Sequence, residues 1–134
     1  MTYKQTLPKI LLIGTASFVF LNSSRSVYAQ DATYIQILTT QLQTSVYGYG
    51  SATEQMNESF QRNGMPSPAV AANQMFYLTQ VLDALNQMDQ IAINDPRYCQ
   101  KSRDFQNFAI QGQVIDVSTA SHATVEIYCA QAGY

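Results

Sequence analysis

Apolar residues recur through the middle of the chain at helical spacing. Between Ser67 and Ile93, Ala71, Met75, Leu78, Leu82 and Leu85 follow one another at alternating four- and three-residue steps. That spacing lines one face of an α-helix, and Val81, Met88 and Ile91 widen the stripe. The opposite face carries Asn73, Gln80, Asp83, Asn86 and Gln90. Ser67-Pro68 supplies a capping residue followed by a proline at the one helical position where proline is harmless. Asn94-Asp95-Pro96 ends the run, because a residue before proline is pushed out of the α region. About 26 residues at 1.5 Å each predict a rod of roughly 39 Å, which makes this the central helix.

Two shorter helices are expected before it. Thr33 with Gln36 three residues on forms a capping box, and Ile35, Leu38, Leu42 and Val46 share a face. The glycines of Tyr47-Gly48-Tyr49-Gly50 are expected to interrupt this helix. Ser51 with Glu54 then restarts it, with Met56 and Phe60 on the apolar side. Gly64 falls where a helix end commonly takes a left-handed residue, and Pro66 prevents resumption.

Asp95-Pro96 opens a fourth segment, in which Tyr98, Phe105, Phe108, Ala109 and Gly112 share a helical face. Beyond Ile110 two patterns compete. Val125, Ile127 and Cys129 alternate with Thr124, Glu126 and Tyr128, as in a half-buried strand. The stretch Ser118 to His122, however, contains no Gly, Pro, Asn or Asp to make a hairpin turn. A helical hairpin also sets Cys99, near the start of one helix, opposite Cys129, near the end of the next. The predicted fold is therefore a mainly α, single-domain helical bundle, with the last 25 or so residues a helical hairpin in preference to a β-hairpin.

The N-terminus alters the domain boundaries. Lys4 and Lys9 precede an apolar run from Ile10 to Leu21, and Val27-Tyr28-Ala29 closes a polar tail. This is the layout of a secretory signal peptide over residues 1–29. A dozen apolar residues fall short of the roughly 20 that span a bilayer. The mature domain is then residues 30–134, and the protein is expected to be exported, to a periplasm or outside the cell. Export makes an intramolecular disulfide the leading reading for Cys99 and Cys129.

In that mature part Arg62, Arg97, Lys101 and Arg103 face nine acids, a formal charge of about −5. Such a balance argues against nucleic acid, which is held by many Lys and Arg contacts, and against electrostatic attachment to anionic lipid.

Catalytic chemistry has little to work with. His122 is the sole histidine and lies in no nucleophile-elbow pattern, so it reads as a turn or surface residue. Glu54 and Glu58 share a helical face, but Glu58 also precedes Arg62 by four residues, the spacing of a surface ion pair. The cysteines lack the paired close spacing of a zinc site, and no metal or cofactor is expected. Two candidate contact surfaces remain: Tyr47 and Tyr49 on their glycine-rich support, and Arg97 with Lys101 on one helical face. The expected function is a small exported, non-catalytic module that binds another protein, in the manner of an inhibitor or immunity protein, an adaptor or an envelope chaperone. Self-association into a homo-oligomer is compatible with this reading. The alternative is a small exported hydrolase using Glu54/Glu58 or His122.

Overall fold

The computed structural model describes residues 24–114 and 120–134, and every described element is helical. Helix α1 spans Ser24–Asn63, α2 Pro68–Asn94, α3 Cys99–Gln111 and α4 Ala120–Gln131, with a 3-10 turn at Pro96–Tyr98 between α2 and α3. No strand occurs among the described residues. The chain divides into two compact units, Met1–Tyr34 and Ile35–Tyr134. Of the first, residues 24–34 are described, and they are the helical start of α1. Most of the expected leader, residues 1–23, lies outside the described residues, as do residues 118–119 of the expected turn.

The ends of α2 follow the local signals. The Ser67 hydroxyl accepts from the Val70 N–H at 3.5 Å, and Pro68 takes the first helical position. Gly64 closes α1 in the left-handed region at φ 74°, its N–H donating to the Phe60 carbonyl at 2.8 Å. Asp95 ends α2 in an extended conformation, and its carboxylate then accepts from the Arg97 N–H at 3.1 Å, capping the next turn.

The beginning of the chain departs from expectation. Helix α1 is continuous through Gly48 and Gly50, so Thr33 and Ser51 are interior helical residues rather than caps, and Tyr47 and Tyr49 stand on a helix rather than a loop. Gly48 serves a different purpose. A Cβ built there would overlap the ring of Tyr77 on α2, so the missing side chain lets the two helices close up. Gly50 faces open space. Gly50→Ala should therefore stabilise the fold by about 0.5–1 kcal/mol, through helix propensity alone. Gly48→Ala should destabilise it by about 1–3 kcal/mol, because overpacking outweighs that gain. Urea unfolding midpoints of the two variants measured side by side would check the opposite signs.

In the second unit α1 and α2 run antiparallel. Gln41 donates to the Gln80 carbonyl at 3.0 Å and to Asp83 at 2.9 Å, and Gln74 donates to Thr53 at 3.0 Å. The core joins Ile35, Leu38, Leu42 and Val46 of α1 to Val81, Leu85 and Met88 of α2 and to Phe105 and Ala109 of α3. On α2 the buried face is turned away from the predicted one. It runs through Val81, Leu85, Met88 and Ala92, with Leu78 and Ile91 partly buried, whereas Met75 and Leu82 are exposed. The buried face is centred where α2 meets three neighbours rather than where its own apolar residues are densest.

Helix α3 ends in a hydrogen-bonded Schellman arrangement. The Val114 N–H donates to the Ala109 carbonyl at 3.0 Å and the Gln113 N–H to that of Ile110 at 2.9 Å. The left-handed residue is Gln113, at φ 60°, and not the glycine beside it. Gly112 is occupied otherwise, since a Cβ there would overlap Val46 of α1. Helix α4 then returns antiparallel to α3. A disulfide joins Cys99 to Cys129 with their Cα atoms 6.1 Å apart, packed among Ala92 and Val125. Val125 and Cys129 are buried while Ile127 is exposed, a four-residue rather than a two-residue rhythm, so the β-hairpin alternative is replaced by a helix.

Candidate functional site

The densest group of chemistry-bearing side chains lies where α2, α3 and α4 meet, inside the protein. Asp89 sits one helical turn after Leu85 on the core-facing side of α2 and is 1% exposed. Both of its carboxylate oxygens accept a hydroxyl proton. Ser102 of α3 donates to Oδ1 at 2.7 Å, and Ser121 of α4 donates to Oδ2 at 2.6 Å. His122 completes the group, with Nδ1 3.1 Å from Ser102 Oγ and 3.3 Å from Asp89 Oδ1. Its other nitrogen, Nε2, lies 3.1 Å from Glu126 Oε2.

This placement overturns the reading of His122 as a turn or surface residue: it is a buried residue of α4. Burying several polar groups together is tolerable only when they satisfy one another, and here hydroxyl donors from two helices meet carboxylate acceptors on a third.

Outward from His122, Glu126 receives both Nε and Nη2 of Arg103, at 3.0 to 3.1 Å, so α3 and α4 are also joined at the surface. Hydrogen bonds from Arg103 hold the Glu126 carboxyl below the usual carboxylate range against a smaller opposing effect of burial, and Glu126 in turn raises Arg103. A carboxylate lowered on folding contributes stability above its ordinary titration range, and that contribution disappears as pH falls through the lowered value. Glu126 is 41% exposed, so solvent screens the pair and keeps the contribution small. Glu126→Gln should accordingly flatten the acid limb of a stability-against-pH profile slightly. Superposable acid limbs for the variant and the wild type would contradict the assignment.

Ser102, His122 and a carboxylate are the residue types of a nucleophilic triad, yet their arrangement serves cohesion. Ser102 is fully buried and directs its proton to Asp89 rather than to the ring. A nucleophile must reach a substrate carbonyl and give its proton to a base.

The other candidates lie on the surface. Glu58 pairs with Arg62 at 3.8 Å, as the spacing predicts, and Glu54 is exposed on the same helix. Arg97 binds Asp95 through Nε and Nη2, the shortest contact being 2.6 Å, and holds the Asp95 carboxyl below the usual range. Tyr49 packs partly into the core. Tyr47 is 71% exposed, and its ring meets the edge of Phe108 on α3 at a centroid distance of 6.1 Å.

Phe108 and Lys101 also line an open groove between α1 and α3, floored by Leu42 and Phe105 and rimmed by Thr39 and Gln43. The groove holds about 140 Å³. Two of the four contact candidates, Tyr47 and Lys101, are thus brought to one strip of surface, while Tyr49 and Arg97 are engaged within the fold. The buried network was missed by sequence reasoning. The signal that could have found it is the spacing of Asp89 from Leu85 and of His122 from Val125 and Glu126, which puts polar residues on apolar faces.

Among the described residues no helix is long and apolar enough to cross a membrane. No family model, curated protein or solved structure matches this chain.

Proposed function

We propose that the protein is a small exported, non-catalytic module that works by binding another protein through the α1–α3 face. The observation that carries this reading is the strip formed by Tyr47, Phe108 and Lys101: an exposed aromatic ring on a rigid helix, beside a mainly apolar groove lined also by the Lys101 amine and the Asp104 carboxylate. Tyrosine offers wide contact area with few torsions to fix, which suits such a surface. The groove is smaller than the roughly 300–1,000 Å³ of small-molecule sites and matches an inserted side chain better than a free ligand. Export rests on the leader pattern of residues 1–29, and a buried Cys99–Cys129 bridge is compatible with an oxidising compartment. An inhibitor, an adaptor and an envelope chaperone all fall within the reading.

The test is affinity capture of the tagged mature chain from its own envelope and medium after mild cross-linking, read by mass spectrometry. A stoichiometric protein partner is expected, and Tyr47→Ala with Lys101→Ala should reduce its recovery about tenfold or more while leaving the far-UV circular dichroism unchanged. Recovery of the chain alone, or a partner indifferent to the two substitutions, would overturn the α1–α3 face as the working surface.

A further inference from the structure

Three helices converge on one imidazole. Ser102 gives its only proton to Asp89, so at Nδ1 the His122 ring must be the donor. On the other side Glu126, as a carboxylate, offers only lone pairs, and Nε2 can bond to it only by donating as well. Neutral imidazole has one N–H and satisfies one side. The doubly protonated ring satisfies both.

We infer that His122 is a proton-operated clasp on α4. With both nitrogens protonated it bridges the buried Asp89 of α2 and Ser102 of α3 to the outer Glu126–Arg103 pair. Loss of one proton loosens the first turns of α4.

Among the described residues, charged groups around the ring are Asp89 from α2, Arg103 from α3 and Glu126 from α4, with Ser102 and Ser121 adding hydroxyls. Arg103 holds Glu126 whether or not the ring donates. When Nε2 loses its proton, two acceptors are left facing each other at 3.1 Å, and the ring charge that balanced the 1%-exposed Asp89 is gone. The clasp therefore holds while both ring nitrogens are protonated and weakens as pH rises. This is the reverse of the Glu126–Arg103 pair, which weakens as pH falls, so the two contributions separate on the pH axis. The disulfide lies at the far end of α4, at Cys129. Opening is consequently local, confined to the His122 end while the Cys129 end stays fastened.

The experiment is amide hydrogen exchange on the oxidised full chain between about pH 5 and about pH 8, the window in which histidine charge changes, with rates corrected for intrinsic pH dependence. Protection of the α4 amides around residues 124–127 should fall by roughly three- to tenfold across that window, the range one hydrogen bond sets. Protection in the middle of α2 should stay constant, and His122→Gln should remove the pH dependence of α4. Parallel profiles in the wild type and the variant, or a flat wild-type profile, would overturn the clasp. Should His122→Gln fail to fold, the ¹⁵N signals of the wild-type ring serve instead. They should convert from two protonated nitrogens to one in step with the loss of α4 protection. A ring that changes state without any response in α4 refutes the inference.

Discussion

Replacing Cys99 and Cys129 together by alanine should lower stability by about 3–4 kcal/mol. The bridge spans a sequence separation of 30, and in the chain-entropy account most of its effect is to restrict the unfolded chain. For a domain of this size the loss corresponds to a fall in Tm of roughly 15–25 °C. Alanine is the right replacement. Both sulfurs are buried beside Ala92 and Val125, where a serine hydroxyl would add a desolvation penalty of its own. Scanning calorimetry of the double variant, with the reduced wild type as comparison, would measure the effect. Equal midpoints for oxidised wild type and double variant would mean that the bridge does not restrict the unfolded chain. α4 should be affected most, because without the bridge its C-terminal half loses its covalent tie and keeps the Arg103–Glu126 pair and the packing around Val125.

Asp89→Ala should have a comparable effect, about 3–5 kcal/mol, for a different reason. The substitution leaves the core hydrocarbon nearly intact but removes the acceptor for Ser102 and Ser121 and the counter-charge beside His122. Buried donors that lose their partner keep their full desolvation penalty. The triple variant Asp89→Ala, Ser102→Ala, His122→Phe removes the donors as well and should recover part of the loss. A double-mutant-cycle treatment of chemical unfolding would expose that non-additivity. If Asp89→Ala alone cost less than about 1 kcal/mol, the network would not be the joint between α2, α3 and α4 that its geometry describes.

These two positions also mark the limit of what local pattern conveys. The boundaries of α2 were legible because caps and breakers act within a few residues: Ser67-Pro68, Gly64 and Asp95-Pro96 behave as their chemistry requires. Glu58 and Arg62 met as an i, i+4 pair for the same reason. The two glycines at 48 and 50 misled, because helix propensity is a weak prior and Tyr77, 29 residues away, decides what Gly48 is for. The strand-like alternation near Val125 gave way once the Cys99–Cys129 pairing and the His122 contacts called for a four-residue rhythm. Met75 and Leu82 read as core but lie outside it, since the core-facing side of α2 is fixed by α1, α3 and α4 jointly. Asp89 and His122 were illegible as a pair. Each stands at helical spacing from an apolar neighbour, Leu85 for Asp89 and Val125 for His122, but that the two meet is a property of the assembled bundle. Tyr47 was named for its glycine neighbours and Lys101 for the helical face it shares with Arg97, and their approach to one strip depended on how α3 lies along α1.

The contact of Tyr77 with Gly48 bears on uniqueness as much as on strength. Antiparallel helices rich in small and polar residues can slide past each other by one turn, about 5.4 Å, with little change in buried apolar area. Here such a slip would bring the aromatic ring to Thr44 or Ala52, both of which carry the Cβ that Gly48 lacks. The ring fits at one rung only. A residue that weakens its own helix thus acts as a keyway, leaving the α1–α2 hairpin a single alignment in which Gln41 finds Gln80 and Asp83, and Gln74 finds Thr53.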